Sequence, residues 1–279
     1  PLKKGDEIVS FINEYPANHY PWELQAKQRG VILKLIPNSI TNNNEIIVID
    51  NGTYDGIEGV VKNNSKVKFI QNRTNNGYAA GNNIGIKAAT GKYIMICNPD
   101  LAIFSDAFQV LYQYMEENLD VAIAGPRLVN ADKSLQYSCT RFPDWHLPFY
   151  RRTFLGKTKV GRTWLDNYFM TDINHAHNFY VPALFGACLI IRHDALKKVG
   201  LFDEQYFMYM EDLDWSRRFW ENGYKVAYVG EAEVIHLHKR DSAQSSWLKT
   251  LYKKTARAHI SSFIKYLKKF KGKSLPETK

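Results

Sequence analysis

Apolar residues recur along the chain in short continuous runs, each ending in a polar or glycine-containing tip. "EIIVID" (45–50), "KVKFIQN" (66–72), "KYIMICNPD" (92–100) and "VAIAGP" (121–126) are too short for helices and rich in branched and aromatic residues, so they predict strands. Between them the period changes. Phe108, Leu111, Tyr112 and Met115 lie three or four apart and predict a helix over 106–118. "NNGYAAGNNIGIKAATG" (75–91) predicts a loop and then a short helix that Gly91 stops. Continuous apolar strands alternating with helices indicate an α/β fold with a mainly parallel central sheet flanked by helices.

The pattern loosens over 130–182, which is aromatic, basic and irregular ("RFPDWHLPFYRRTFLGK", 141–157). It returns in "GACLIIRHDALKKVG" (186–200) as strand then helix, in "FMYMEDLDWSRRFWENG" (207–223) as a helix, and in "YKVAYVGEAEVIHLH" (224–238) as one or two strands. Over 245–270, Trp247, Leu248, Leu251, Tyr252, Ile260, Phe263, Ile264, Leu267 and Phe270 form one apolar stripe with lysines opposite, a C-terminal amphipathic helical extension.

Polar groups collect where the strands end. In open α/β sheets the ligand crevice lies outside the carboxyl ends of the strands, and Asp50, Asn72 and Asp100 fall at such ends. Pro99 cannot continue a ladder, so Asp100 projects from a buried strand. It is read either as a ligand for a hard divalent cation or as a turn-forming carboxylate. Asp203, Glu204, Glu211, Asp212 and Asp214 crowd five acids among aromatic residues; they are read as a helix cap with Arg217 and Arg218 as partners, or as a source of a general base. His236 and His238 alternate, so a strand turns both to one side. Gly77, Gly81 and Gly85 repeat every four residues without matching a dinucleotide or P-loop motif, and admit close approach of either a base or a packed neighbour.

Composition narrows the class. A formal charge of +9 points to an anionic partner, but no nucleic-acid module accompanies it. Three widely spaced cysteines, Cys97, Cys139 and Cys188, exclude a disulfide framework and fit a reducing compartment. No apolar run nears the roughly 20 residues of a membrane span. The expected location is cytoplasmic, with peripheral contact on the inner face of the membrane.

"VIDNGTYDG", "NNGYAAGNNIGI", "YIMICNPD", "FGACLIIRHDALKKVGLFDEQYFMYMEDLDWSRRFWENGY" and "VIHLHKRDS", in this order over about residues 45–246, resemble the GT-A-fold family 2 inverting glycosyltransferases of the rhamnosyltransferase-like branch. The resemblance implies a Rossmann-like catalytic domain over 1–244, with a nucleotide-binding half over about 1–128 and an acceptor-binding half over about 129–244, followed by the basic helix and tail at 245–279. It implies that Asp50, Asn51 and Asp55 hold the nucleoside of a dTDP- or UDP-sugar. Asn76, Gly77, Gly81 and Asn82 would border base and ribose, and Gly186, Ala187 and Cys188 would line the sugar pocket. Asp100 and His236 would hold Mg²⁺ or Mn²⁺ on the diphosphate. Asp212, with Glu211 beside it, would be the catalytic base.

Two features depart from the family pattern. "EIVSFINEYPANHYPWELQAKQRG" (7–30) offers only Ile8–Ile12 as a first strand, and "NPD" supplies one carboxylate where a DxD element has two. The expected reaction moves a sugar, rhamnose being favoured by "SLQYSCTRFP" (134–143), to a saccharide or lipid-linked saccharide in bacterial surface polysaccharide synthesis. The alternatives are a sugar nucleotidyltransferase and a non-catalytic nucleotide- or glycan-binding protein.

Overall fold

The computed structural model describes residues 45–54, 56–103, 105–237 and 254–278, together with two short paired strands, β1 (Glu7–Ile8) and β2 (Ile32–Leu33). Most of the expected first strand, Asp55, His238 and the stretch 245–253 lie outside the described residues.

The first half alternates as the periodicity predicts. Its elements are β3 (Ile46–Asp50), α1 (Ile57–Val61), β4 (Val67–Gln71), α2 (Tyr78–Ala88), β5 (Tyr93–Cys97), β6 (Leu101–Ile103), α3 (Ser105–Glu117) and β7 (Val121–Val129). Strands β3 and β4 pair in parallel. The irregular stretch resolves into β8 (Leu135–Gln136), β9 (Cys139–Thr140), α4 (Leu147–Arg152), a 3₁₀ turn at Phe154–Lys157, α5 (Lys159–Tyr168), β10 (Phe179–Tyr180) and β11 (Ala183–Leu184). It is followed by β12 (Cys188–Arg192), α6 (Leu196–Val199), α7 (Glu211–Glu221), β13 (Lys225–His236) and α8 (Lys254–Lys269).

The α/β architecture agrees with the sequence reading, but the central sheet is mixed rather than mainly parallel. Its order is β10-β13-β7-β12-β5, and β12 runs antiparallel to both of its neighbours. Strand β13 lies parallel to β7 and antiparallel to β6 and β10. The reason is physical: an unbroken apolar strand reports cover on both faces, and β12 has that cover whichever way it runs. The excursion through 130–182 brings the chain back from the far end, so β12 enters between β5 and β7 in reverse.

Two buried clusters cover the sheet. Ile94, Ile96, Ile123, Leu189, Ile191, Trp215 and Phe219 lie in one, and Leu111, Met115, Ile190, Ala227 and Val234 lie in the other. A third joins α8 to the body of the fold: Phe263, Tyr266 and Phe270 pack with Tyr206, Met210, Leu213 and Tyr168. Phe263, Tyr266 and Phe270 of the expected apolar stripe are therefore turned inward onto the segment that leads into α7, while Ile264 is exposed.

Candidate active site

The site is built where β3, the loop before α2, the turn after β5, the approach to β12 and the start of α7 converge. Asp50 ends β3 and is only 1% exposed. Its Oδ1 accepts from the Thr53 amide at 2.7 Å and the Thr53 hydroxyl at 2.8 Å, and its Oδ2 from the Tyr54 amide at 2.9 Å. Burial alone would raise its pKa, but these bonds and one from Gln71 hold it below the usual carboxylate range. Asp50 thus closes the turn in which Asn51 and Tyr54 are displayed. Tyr54 is exposed, has a positive φ of 54°, and donates its hydroxyl to the Arg73 carbonyl at 3.2 Å.

Asn51 ties this turn to the next loop. Its amide donates to the Gly77 carbonyl at 3.0 Å, and its oxygen accepts from Asn72 at 2.9 Å. Gly77 has φ +93°, and a Cβ there would strike the Phe207 carbonyl, whose oxygen accepts from the Tyr78 amide at 2.8 Å. A Cβ on Gly81 would meet the Asn51 amide, so this glycine lets α2 approach the strand-end turn. Neither position has room for a side chain. Asn76 accepts from Thr74 at 3.1 Å, and Asn82 donates to the Tyr78 carbonyl one turn back at 3.0 Å. The neighbouring Asn83, which the sequence reading passed over, is buried and exchanges hydrogen bonds with the Phe202 backbone and Glu204.

Asp100 and His236 come together: Oδ1 and Nε2 are 3.2 Å apart, both side chains being largely buried. Strand pairing brings this about, since His236 registers with Leu101 and the Leu237 amide donates to the Asp100 carbonyl at 2.8 Å. Gln136 orients the imidazole. Its amide nitrogen donates to the His236 carbonyl at 2.7 Å, which turns its oxygen towards Nδ1 at 2.9 Å. That assignment places the proton of a neutral ring on Nδ1 and aims the Nε2 lone pair at the Asp100 carboxylate. One hard oxygen and one imidazole held in place by Gln136 meet here, a pair that can bond to each other or serve a cation. Among the described residues no third His, Cys, Asp or Glu joins them. Substrate or water oxygens would have to complete such a site.

Of the five clustered acids, the structure separates three from the crevice. Asp203 pairs with Lys269 at 2.6 Å, Glu204 holds Asn83, and Asp214 is fully buried between Arg218 at 2.7 Å and Lys269 at 2.6 Å. The predicted helix over 207–223 begins only at Glu211, because Tyr209 and Met210 both take positive φ (69° and 73°). Two successive non-glycine residues in the left-handed region store strain at the start of α7. Glu211 is buried there. Asp212 accepts from the Gly186 amide at 2.9 Å through Oδ2 and from the Leu213 amide at 2.9 Å through Oδ1. Burial outweighs these bonds and pushes its pKa up to about 6.

Gly186 connects the two centres. Its amide meets Asp212, its carbonyl accepts from the Tyr78 hydroxyl, and the next carbonyl, of Ala187, accepts from the Asn98 amide at 2.8 Å beside the Asn-Pro-Asp turn. Cys188 behaves differently from its two neighbours. It is buried as the first residue of β12, in register opposite Cys97. Sequence reasoning missed Gln136, Tyr78 and the strained pair at 209–210. Gln136 lay within a quoted segment, yet nothing local marked it as the partner of a histidine 100 residues away.

Comparison with known proteins settles the class. The family described as "Glycosyl transferase family 2" matches residues 29–200, more than half of the chain. The chain belongs to glycosyl transferase family 2. Within that family it is similar to an N-acetylglucosaminyl-diphospho-decaprenol L-rhamnosyltransferase of Mycobacterium tuberculosis, 28% identical over 71% of this chain and 67% of the relative. It is also similar to the rhamnosyltransferase WbbL of Escherichia coli, 25% identical over 68% of this chain and 70% of the relative.

The family 2 chain shares its fold with solved structures. One is GalNAc-T7 with UDP, GalNAc and Mn²⁺ (TM-score 0.59, 17% identity, covering 94% of this chain and 47% of that one). Another is the mannosyltransferase PcManGT from Pyrobaculum calidifontis with GDP-Man and Mn²⁺ (TM-score 0.54, 15% identity, covering 94% and 63%). The fold is GT-A. The chain spans about half to two thirds of the length of these proteins.

Proposed function

We propose that this family 2 glycosyltransferase is an inverting enzyme that moves a sugar from a nucleotide-diphosphate donor to a saccharide or lipid-linked saccharide. Rhamnose from a dTDP-sugar is the favoured donor group, since both relatives described above are named rhamnosyltransferases. The observation that carries the proposal is the link through Gly186 and Ala187 between a carboxylate of raised pKa and the Asp100–His236 pair.

Asp212 is suited to take the acceptor hydroxyl's proton. A group with a pKa of about 6 is ionised at neutral pH yet remains basic enough to hold that proton as the oxygen attacks the anomeric carbon. Gly186 fixes the carboxylate's direction, and Tyr78 fixes Gly186. Glu211, buried beside it, stands as the second acid of the pair. Asp100 and His236 would hold a divalent cation, Mg²⁺ or Mn²⁺, which when bound offsets the charge growing on the leaving diphosphate. Asp50 acts on the nucleoside through the turn that it closes, in which Asn51 is tied to the next loop and Tyr54 is exposed. Asn76 and Asn82 border the same loop and helix start.

The test is thermal stabilisation by dTDP, UDP, GDP, CMP and AMP, each with and without Mn²⁺, since a ligand that binds only the folded state raises the melting temperature by mass action. A shift with dTDP or UDP that requires metal and disappears in Asp100→Ala is expected. No shift with any nucleotide would overturn the donor site and favour a non-catalytic binding protein.

A further inference from the structure

The segment Trp145–Leu165 takes no part in the proposed chemistry. It forms a helical hairpin, α4 and α5 joined by the 3₁₀ turn, in which Leu147 is buried and five other large apolar residues are exposed. Trp145 is 60% exposed, Phe154 76% and Val160 68%, with Phe149 and Leu155 also exposed. Five of the thirteen exposed large apolar side chains among the described residues fall in these sixteen positions, 145–160, so exposure is concentrated here rather than scattered.

The tip is held in shape. Thr153 accepts from the Leu155 amide at 3.2 Å and donates to the Phe149 carbonyl at 2.7 Å. Thr158 caps α5 by accepting from the Gly161 amide at 3.1 Å and donates to the Leu155 carbonyl at 2.6 Å. Ring contacts, alternately tilted and stacked, run inward from Trp145 through His146, Tyr150 and Trp164 to the buried Tyr168. Tyr168 lies in the cluster with Met210 and Leu213, the residues flanking Glu211 and Asp212.

Charge decides the occupant. Residues 145–165 contain five Arg and Lys and no Asp or Glu. Outward aromatic and aliphatic residues set among cations suit the boundary of an anionic bilayer, where rings enter the headgroup level and cations meet phosphate. The C-terminal helix is less suited. Among its described residues Phe263, Tyr266 and Phe270 are buried and only Ile264 of the apolar stripe is exposed, while Lys265 and Lys269 are engaged with the Gln205 carbonyl and with Asp203 and Asp214.

We infer that the hairpin 145–165, rather than the C-terminal helix, docks this protein on an anionic membrane surface, on the side of the fold that carries Asp212. Such docking would present a lipid-linked acceptor to the site, but it does not depend on the transfer reaction, because it is read without donor or turnover.

The experiment is flotation of the full chain with vesicles of phosphatidylcholine containing roughly one third phosphatidylglycerol, against phosphatidylcholine alone. The expected result is binding to the anionic vesicles. It should weaken about tenfold or more in Phe154→Ser/Val160→Ser, which removes exposed groups only, and also in Lys157→Gln/Lys159→Gln/Arg162→Gln. Lys268→Gln/Lys271→Gln, on and after α8, should bind as the parent does. Absence of vesicle binding by the parent, hairpin variants that bind unchanged, or loss confined to the α8 variant would each overturn the inference. So would hairpin variants that keep vesicle binding and lose affinity for acceptor oligosaccharide, since the surface would then be a glycan platform.

Discussion

Asp50 and Asp212 occupy comparable places, one at the end of a strand and the other in the first turn of a helix, yet their carboxylates are pushed in opposite directions. Burial is the largest influence on both, and it raises both. At Asp50 the amides of Thr53 and Tyr54, the Thr53 hydroxyl and Gln71 overcome it; at Asp212 backbone amides alone, chiefly those of Gly186 and Leu213, do not. Burial weighs more heavily on Asp212 and Asp50 has the more donors, so the balance of donors against desolvation decides whether a strand-end or helix-start acid becomes a fixed structural anion or a usable base. The sequence context prepares this outcome. Asp50 is followed by Asn-Gly-Thr, a turn that supplies its own donors, whereas Asp212 depends on Gly186 from a distant segment.

The sharpest way to break the comparison is Asp212→Asn. Loss of a general base is worth about 10²–10⁴-fold in rate, so transfer should fall about a thousandfold while the fold survives. In the parent, the rate should decline about tenfold per pH unit below 6 and level off above it, as Asp212 loses its proton. Stability should move the other way. A carboxyl whose folded pKa lies above its unfolded value favours the fold at low pH, and that contribution is lost as pH rises through about 6. Asp212→Asn removes this pH dependence but turns an amide towards the Gly186 or Leu213 N–H, so its deficit against the parent should be largest near pH 4 and shrink as pH rises to 8. Initial rates and melting curves on the same preparations check both. A fully active Asn variant would remove Asp212 from the chemistry and turn attention to Glu211.

A second contrast lies within α7. Asp214, two residues on, is as acidic in sequence as Asp212 but sits fully buried between Arg218, Lys269 and the Tyr206 hydroxyl. Removing one member of a buried ion network leaves the others uncompensated, so Asp214→Asn should destabilise the protein by about 3 kcal/mol. Denaturant unfolding measures this. Unchanged stability would mean that the contacts of α8 with the catalytic segment do not rest on these charges.

These contrasts mark how far the sequence could be read. Runs such as "EIIVID" and "YIMIC" identify β3 and β5 because five-residue apolar stretches between turn signals have few other solutions. Strand direction was not legible, because β12 owes its antiparallel setting to a return path built from short elements at 130–184 with weak periodicity. In the site, Asp100 and His236 were legible as polar groups at the ends of apolar runs. The five-acid cluster was legible as unusual, but not its division into anchors and base, which Lys269 and Gly186 determine from far along the chain. The start of α7 was misjudged for a related reason: nothing in "FMYME" announces positive φ at Tyr209 and Met210, in a stretch where Met210 packs against α8 and the Met208 carbonyl accepts from Ser262.

The smallest effect returns to Asp50. Its lowered pKa means that the ionised form favours the fold at any pH above its unfolded value near 4, and that this contribution disappears as pH falls through the lower folded value. Asparagine keeps one acceptor oxygen for Thr53 but turns an amide towards the Tyr54 N–H, setting donor against donor. Asp50→Asn should therefore cost about 1–2 kcal/mol at pH 7, and the gap from the parent should narrow as pH falls below the unfolded value near 4. Melting curves of the two proteins across that range make the measurement. If the gap persists unchanged at low pH, the turn is held by shape rather than by the carboxylate's charge, and the difference between Asp50 and Asp212 is one of geometry alone. If it narrows, the same reasoning predicts that nucleotide affinity weakens in parallel, because Asn51 and Tyr54 are displayed by the turn that the charge of Asp50 keeps closed.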